Sequence, residues 1–375
     1  VYDVTIDPTM LIYLNGRLNR DSAPDENYAR ELQELFTLGK ENNPNYTEQD
    51  VISAAKVLTG WEVNPNDASF PSFFILSRHD KNNKQFSSFF NNTVITGRNT
   101  ITAGTDEIND LINMIFSKST EVSRHIVKRL YRFFVYSEID AATETNVIEP
   151  LALTLRTNNW EIRPVLAQLF KSEHFFDILN RGAQIKAPLD FVVGLCREWN
   201  VEFPPLNDIA QTYATWNAVF SSAFTLQQNI GDPPSVAGWP AYYQIPQYYE
   251  LWINADTLPK RNQISDVLIA TGFTQSNYKL IINAVQYTQQ LSNPSDPNAL
   301  INEVSEFILS FPLSATVKAQ LKKDFLLTGQ EQDYYWSDAW QAYVANPTTS
   351  NYNIVNIRLV GLYKYLMNLA EYQLT

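Results

Sequence analysis

The chain has 375 residues, 45% hydrophobic and 18% charged, a composition that supports a large folded core and excludes a disordered chain. Its formal charge of −12 argues against a duplex nucleic-acid binder, which needs a positive field to neutralise phosphates. The single cysteine excludes an intramolecular disulfide, and no apolar run approaches the ~18 residues of a membrane span.

In chain order, Asp7 and Pro8 open a short predicted helix in which Met10, Leu11 and Leu14 pack, and Asn15-Gly16 ends it. Residues 25–61, DENYARELQELFTLGKENNPNYTEQDVISAAKVLTGW, read as two helices. Asp25 caps the first, Tyr28, Leu32, Leu35 and Phe36 form its stripe, and Gly39 stops it. Thr47 caps the second with Asp50 in the capping-box position, and Gly60 ends it. The following PSFFILSRHDKNNKQFSSFF predicts one β-hairpin near residues 72–95, turning at Asp80-Lys81-Asn82-Asn83. Helical periodicity returns from Asp106. The stripes Ile108, Leu111, Ile112, Ile115, Phe116 and Val122, Ile126, Leu130, Phe133, Phe134 come first. Further helices are predicted at 149–156, 162–176, 189–199, 206–226, 277–291, 298–311, 314–326 and 353–372. Between them, prolines and glycines in residues 227–261 break helix until about Gln247. The expected fold is mainly α, a multi-helix array with one short hairpin. A domain over 1–261 precedes a helical C-terminal subdomain over 262–375.

These motifs carry a family resemblance. The first helix resembles the N-E-N-Y-A-R-E-L-x-E-L-x-T-L-G hallmark of the bacterial family called domain of unknown function 1800, with Asp25 in place of the first Asn. Tyr46, Thr47, Asp50, Val51 and Trp61 continue the match. His79, Asp80 and Lys84 follow the family's H-D-x-G-x-K, with Asn82 in place of Gly. Ile185 to Gly194 follow I-K-x-P-x-D-F-V-V-G, and Pro233, Pro234, Val236, Gly238, Trp239, Pro240, Trp252 and Arg261 follow its closing block. The family has no established activity. The resemblance implies a bacterial, extracytoplasmic protein, often encoded beside a companion resembling alkaline phosphatase. It also implies helices upstream of the Asp7-Pro8 segment. An apolar strip around Met10, Leu11 and Leu14 is therefore expected to be open, or covered by another chain.

No Walker loop, dinucleotide fingerprint, nucleophile elbow or H-E-x-x-H is present. His79, His125 and His174 lie far apart, so no zinc pattern emerges and no resident metal is expected. A divalent cation among the forty acidic residues stays open, although no EF-hand loop is visible. Glu31 and Glu34 on the hallmark helix either belong to a solvated, self-paired stripe with Glu26 and Arg30 or face a cleft with His79 and Asp80. In the second case they are the candidate catalytic groups, with Arg30 and Lys84 binding beside them. The competing reading of His79-Asp80 is a turn that caps its own backbone. Cys196 lies on the stripe Val192, Leu195, Trp199 and reads as a core thiol. Arg124, Lys128 and Arg132 form a basic row that reads as paired with acidic helices.

Trp239, Tyr242, Tyr243 and Trp252 form either a packing corner or a recognition surface for sugar or peptide. Three functions compete: a non-enzymatic binding or assembly component with a protein partner, a hydrolase using Glu31, Glu34, His79 and Asp80, and a purely structural subunit.

Overall fold

The computed structural model describes residues 1–40, 46–275 and 277–375. Its secondary structure is mainly α, and two compact units divide the chain. The first holds Val1–Phe134 with Glu138–Phe175, and the second holds Val135–Ser137 with Phe176–Thr375. The boundary expected near residue 262 falls inside the helix Thr257–Ala270, in the second unit. That helix buries Arg261, Ile264, Leu268 and Ile269, so the chain does not change cores there.

In the first unit, local chemistry sets the helix starts. Asp7 accepts from the Thr9 and Met10 amides at 2.8 and 3.2 Å, and Pro8 begins the helix Pro8–Tyr13. Leu11 and Leu14 are buried, which overturns the expected bare strip at those residues. The exposed apolar side chains of this segment are instead Val1, Val4, Ile12, Tyr13 and Leu18. The hallmark helix spans Asn27–Glu34, shorter than its apolar pattern, and Leu35 and Phe36 lie in the turn beyond it. Asp25 precedes it without capping it: its carboxylate accepts from the Asn27 amide, two residues on, at 2.9 Å. Gly39 closes the turn at φ +77°, with its amide on Gln33 O.

Glu48–Val57 is the second hallmark helix, with both bonds of the Thr47/Asp50 capping box formed. The other Asp50 oxygen accepts from the Ser87 amide at 2.6 Å, so the cap also anchors the following loop.

The expected single hairpin is two small antiparallel sheets. Trp61–Val63 pairs with Ser72–Phe74, and Lys84–Gln85 pairs with Val94–Ile95. Asp80–Asn83 links the two sheets instead of turning one hairpin. A Cβ at Gly97 would sit 2.2 Å from Lys81 O, so glycine lets the second sheet press on this link. The helices Ala103–Phe116 and Ser119–Phe134 follow. The second buries Val122, Val127 and Tyr131 and exposes Phe133 and Phe134, a rotated phase relative to the expected stripe.

The second unit packs around Trp199, whose ring lies 4.8 Å from both Tyr287 and Tyr363. Its main helices are Pro188–Glu198, Ile209–Thr225, Thr257–Ala270, Pro297–Ile308, Tyr334–Ala345 and Thr349–Met367. Part of the helix expected over 277–291 is a strand: Tyr278–Leu280 pairs with Phe273–Gln275, and helix resumes at Ala284–Thr288. Tyr334–Ala345 has no counterpart in the sequence reading, yet it buries Trp336 and Trp340.

Candidate functional site

The densest buried ionic cluster on the family motifs is built on His79, Asp80, Lys84 and Glu107. The short 3-10 turn Leu76–Arg78, after the strand Ser72–Phe74, delivers His79, the short strand Lys84–Gln85 delivers Lys84, and the helix Ala103–Phe116 delivers Glu107. Lys84 Nζ donates to Glu107 Oε2 at 2.6 Å and to the Asp80 carbonyl, and lies 3.9 Å from Asp80 Oδ1. Arg98 N donates to Glu107 Oε1 at 2.7 Å. His79 Nδ1 lies 2.9 Å from the Thr59 carbonyl, which can only accept, so this nitrogen carries a proton. Its Nε2 lies 3.1 Å from Glu107 Oε1 without forming an aligned hydrogen bond. Phe74 packs edge-on against the imidazole at 5.2 Å.

His79, Lys84 and Glu107 are 1% exposed or less, and Asp80 is 7% exposed. Burial pushes the Glu107 carboxyl up, but the His79 and Lys84 side chains and the Arg98 amide outweigh it and hold it below its ordinary value. Asp80 uses one oxygen on the Asn82 amide at 2.8 Å, the self-capping turn weighed above. The cluster thus ties a strand, a helix and a loop, through the Lys84–Glu107 ion pair and through hydrogen bonds to backbone groups.

Arg30, Glu31 and Glu34 do not join it. Arg30 makes a bidentate pair with Glu48 at 2.8 and 2.7 Å and reaches Glu26 at 3.1 Å. Glu34 pairs with Lys40 at 3.2 Å. Among the described residues no hydrogen bond or ion pair links this group to His79, Asp80 or Lys84. Glu31 is half-buried; burial and the neighbouring Glu34 charge raise its carboxyl, against Arg30 and Lys40. Tyr46 lies in the same electrostatic neighbourhood. Its hydroxyl is buried without a hydrogen bond, and burial drives its ionisation upward.

Sequence reasoning missed Glu107, although a signal was present. Gly104, Glu107, Ile108, Leu111 and Ile115 share one helical face, so a carboxylate there had to be buried and paired. The remaining histidines are tied into the fold: His125 Nε2 donates to Leu35 O at 3.0 Å, and His174 Nε2 lies 2.9 Å from Tyr131 Oη. Of the basic row, Arg124 pairs with Glu149, and Lys128 with Glu144 at 2.9 Å.

In the second unit the aromatic block is mostly a packing corner. Trp252 and Ala241 are buried with Ala187, and Trp239 and Tyr242 pack against them. Tyr242 lies 5.6 Å from Trp252 and 6.5 Å from Trp239. Tyr243 alone of the four candidates is exposed. Arg261 runs behind the corner, fully buried, donating to Lys186 O at 2.7 Å with its guanidinium over Phe191. Burial pulls it down to about 10. Lys186 pairs with Glu198 at 3.3 Å above the Tyr372 ring, and the Tyr372 hydroxyl donates to Glu198 at 2.7 Å. Burial lowers Lys186, and Glu198 opposes that shift. Cys196 is buried, and burial pushes its thiol up to about 11, away from the reactive thiolate.

Two cavities have comparable volumes. One of about 390 Å³ is lined by Val4, Tyr28, Leu35, Phe36, Ile126 and Leu130, among others; one of about 380 Å³ lies beside Asn298, Lys318 and Lys322. Neither is lined by Glu31, Glu34, His79 or Glu107. Among the described residues, no group of three or more His, Cys, Asp or Glu side chains is arranged to hold a metal, and no helix is long and apolar enough to cross a membrane. No curated protein and no solved structure matches the chain. The family expected from the hallmark helices does match, from one end of the sequence almost to the other: over residues 1–374 the chain belongs to the family of proteins of unknown function DUF1800.

Proposed function

We propose that the protein is an extracytoplasmic binding or assembly component of a surface or periplasmic complex. The observation that supports this most is the closure of its polar motifs. Lys84 is committed to Glu107 and the Asp80 carbonyl, His79 to the Thr59 carbonyl and Asp80 to the Asn82 amide, inside the first unit, and none of the four lines either cavity described above. Groups so committed fix a fold and leave the surface for recognition. The companion resembling alkaline phosphatase is the partner this reading names. Calorimetric titration of the chain with a purified alkaline-phosphatase-like companion of the kind often encoded beside family members should give saturable binding at about 10 μM or tighter. Absence of heat and of co-sedimentation at ~100 μM would overturn this partner assignment.

A hydrolase is the second reading, and Glu31 favours it. It is a half-exposed carboxyl beside a second one, Glu34, and burial and the Glu34 charge raise it, against Arg30 and Lys40. Ester, peptide and glycoside turnover that disappears in Glu31→Gln, with folding intact, would support this reading over the first.

A further inference from the structure

The helix Ile209–Thr225 is inside out. Its inner face buries small residues, Thr212, Thr215 and Ala223. Its outer face carries Ile209 (65% exposed), Tyr213 (65%), Trp216 (49%), Phe220 (37%) and Phe224 (58%). These positions recur every three or four residues, so they form one continuous stripe. With aromatic side chains of ~150–250 Å² each, the stripe leaves roughly 500 Å² of apolar surface open, at the upper end for a monomer.

We propose that this stripe is a self-association surface, on which a second copy of the chain docks through the same helix run antiparallel. Three observations select that occupant. First, none of the 17 residues of the helix is charged. Two chains of charge −12 repel, and an uncharged face is where they meet without opposing like charges. The same lack of Lys and Arg disfavours an anionic membrane surface.

Second, the stripe is close to palindromic. Ile209 and Phe224 lie equally far from the midpoint between Trp216 and Asn217, as do Tyr213 and Phe220. A two-fold axis at that midpoint sets Tyr213 opposite Phe220 of the second copy and brings the two Trp216 rings together, as an isologous contact requires. The three-and-four spacing is that of helices packed nearly parallel or antiparallel. Third, doubling the stripe buries roughly 1,000 Å², the lower bound for a biological interface and the size of a weak, reversible dimer. This inference rests on the assembly reading but names a surface and an occupant that the companion does not supply.

Sedimentation equilibrium of the intact chain tests it. The wild type should show a monomer–dimer equilibrium below ~100 μM. Tyr213→Lys and Phe220→Glu should each raise the dimer dissociation constant by about tenfold or more. The double variant should return to within about threefold of wild type, because each Lys then faces a Glu across the axis. Trp216→Gln adds no charge and should also weaken the dimer, should a charged variant fail to fold by circular dichroism. A wild type that stays monomeric, a dimer indifferent to all these substitutions, or binding to phosphatidylcholine vesicles by a monomeric chain overturns the proposal. Companion binding is measured separately, so a monomer that still binds the companion refutes self-association alone.

Discussion

Lys84 Nζ sits 2.6 Å from Glu107 Oε2, and both side chains are wholly enclosed. An isolated charge in that position would not be tolerated, so each residue is the condition for the other. Glu107→Gln should therefore cost about 3–5 kcal/mol in urea unfolding, since it strands a buried ammonium. Replacing both, as Lys84→Met with Glu107→Leu, should recover most of that loss. A double variant that loses the sum of Lys84→Met and Glu107→Leu made singly would show that the pair is not coupled.

The pH dependence has a defined sign. Glu107 titrates below its ordinary value in the folded chain, so the unfolded chain binds its proton first as pH falls. The stability this provides is fully present above the unfolded value of about 4.5 and is lost as pH falls through the folded one. Urea midpoints measured between pH 6 and 3 should fall more steeply for wild type than for Glu107→Gln in the acid part of that range.

Glu31 has the opposite shift, from burial and from the charge on Glu34. In carbon-detected NMR titrations its carboxyl should ionise above the ordinary carboxylate range. Glu34→Gln should move it down, because one of its two upward causes is gone. An unchanged Glu31 midpoint would assign the whole shift to burial.

Trp61 and Trp239 each follow a left-handed glycine, Gly60 at φ +94° and Gly238 at φ +100°. They are not equally enclosed. Trp61 is 7% exposed, and Trp61→Ala should cost about 3–5 kcal/mol. Trp239 is only half-buried at the edge of its corner, and Trp239→Ala should cost clearly less. Equal denaturant shifts for the two would contradict this difference in packing.

Capping chemistry was legible in the sequence because it is local: Asp7 with Pro8, and Thr47 with Asp50, act over three residues or fewer. The sheets were less so. Trp61–Val63 and Ser72–Phe74 are three residues each, too short for periodicity, and their pairing is a tertiary choice. The helix over 209–225 was readable as a helix, but its apolar stripe faces outward while Thr and Ala face the core. Periodicity marks a stripe without saying what covers it. Of the expected polar site, His79, Asp80 and Lys84 assembled as one group because they share a loop. The hallmark-helix carboxylates found local partners, and the buried carboxylate came from Glu107.

The Gly39 turn provides the sharpest steric test. Its φ of +77° is a left-handed conformation, and an added Cβ would lie 2.3 Å from His125 Nδ1. Gly39→Ala therefore carries two costs, about 1–2 kcal/mol for the backbone and about 1–3 kcal/mol for the collision. The two separate in a double-mutant cycle. In a His125→Ala background the ring is gone, so Gly39→Ala should retain only the backbone share, and the cycle should show coupling of about 1 kcal/mol or more. His125→Ala also removes the ring's bond to Leu35 O, but the cycle subtracts that loss because it occurs with either residue at position 39. Strict additivity in urea melts would mean that the ring moves aside freely, and that the hallmark helix does not close on His125.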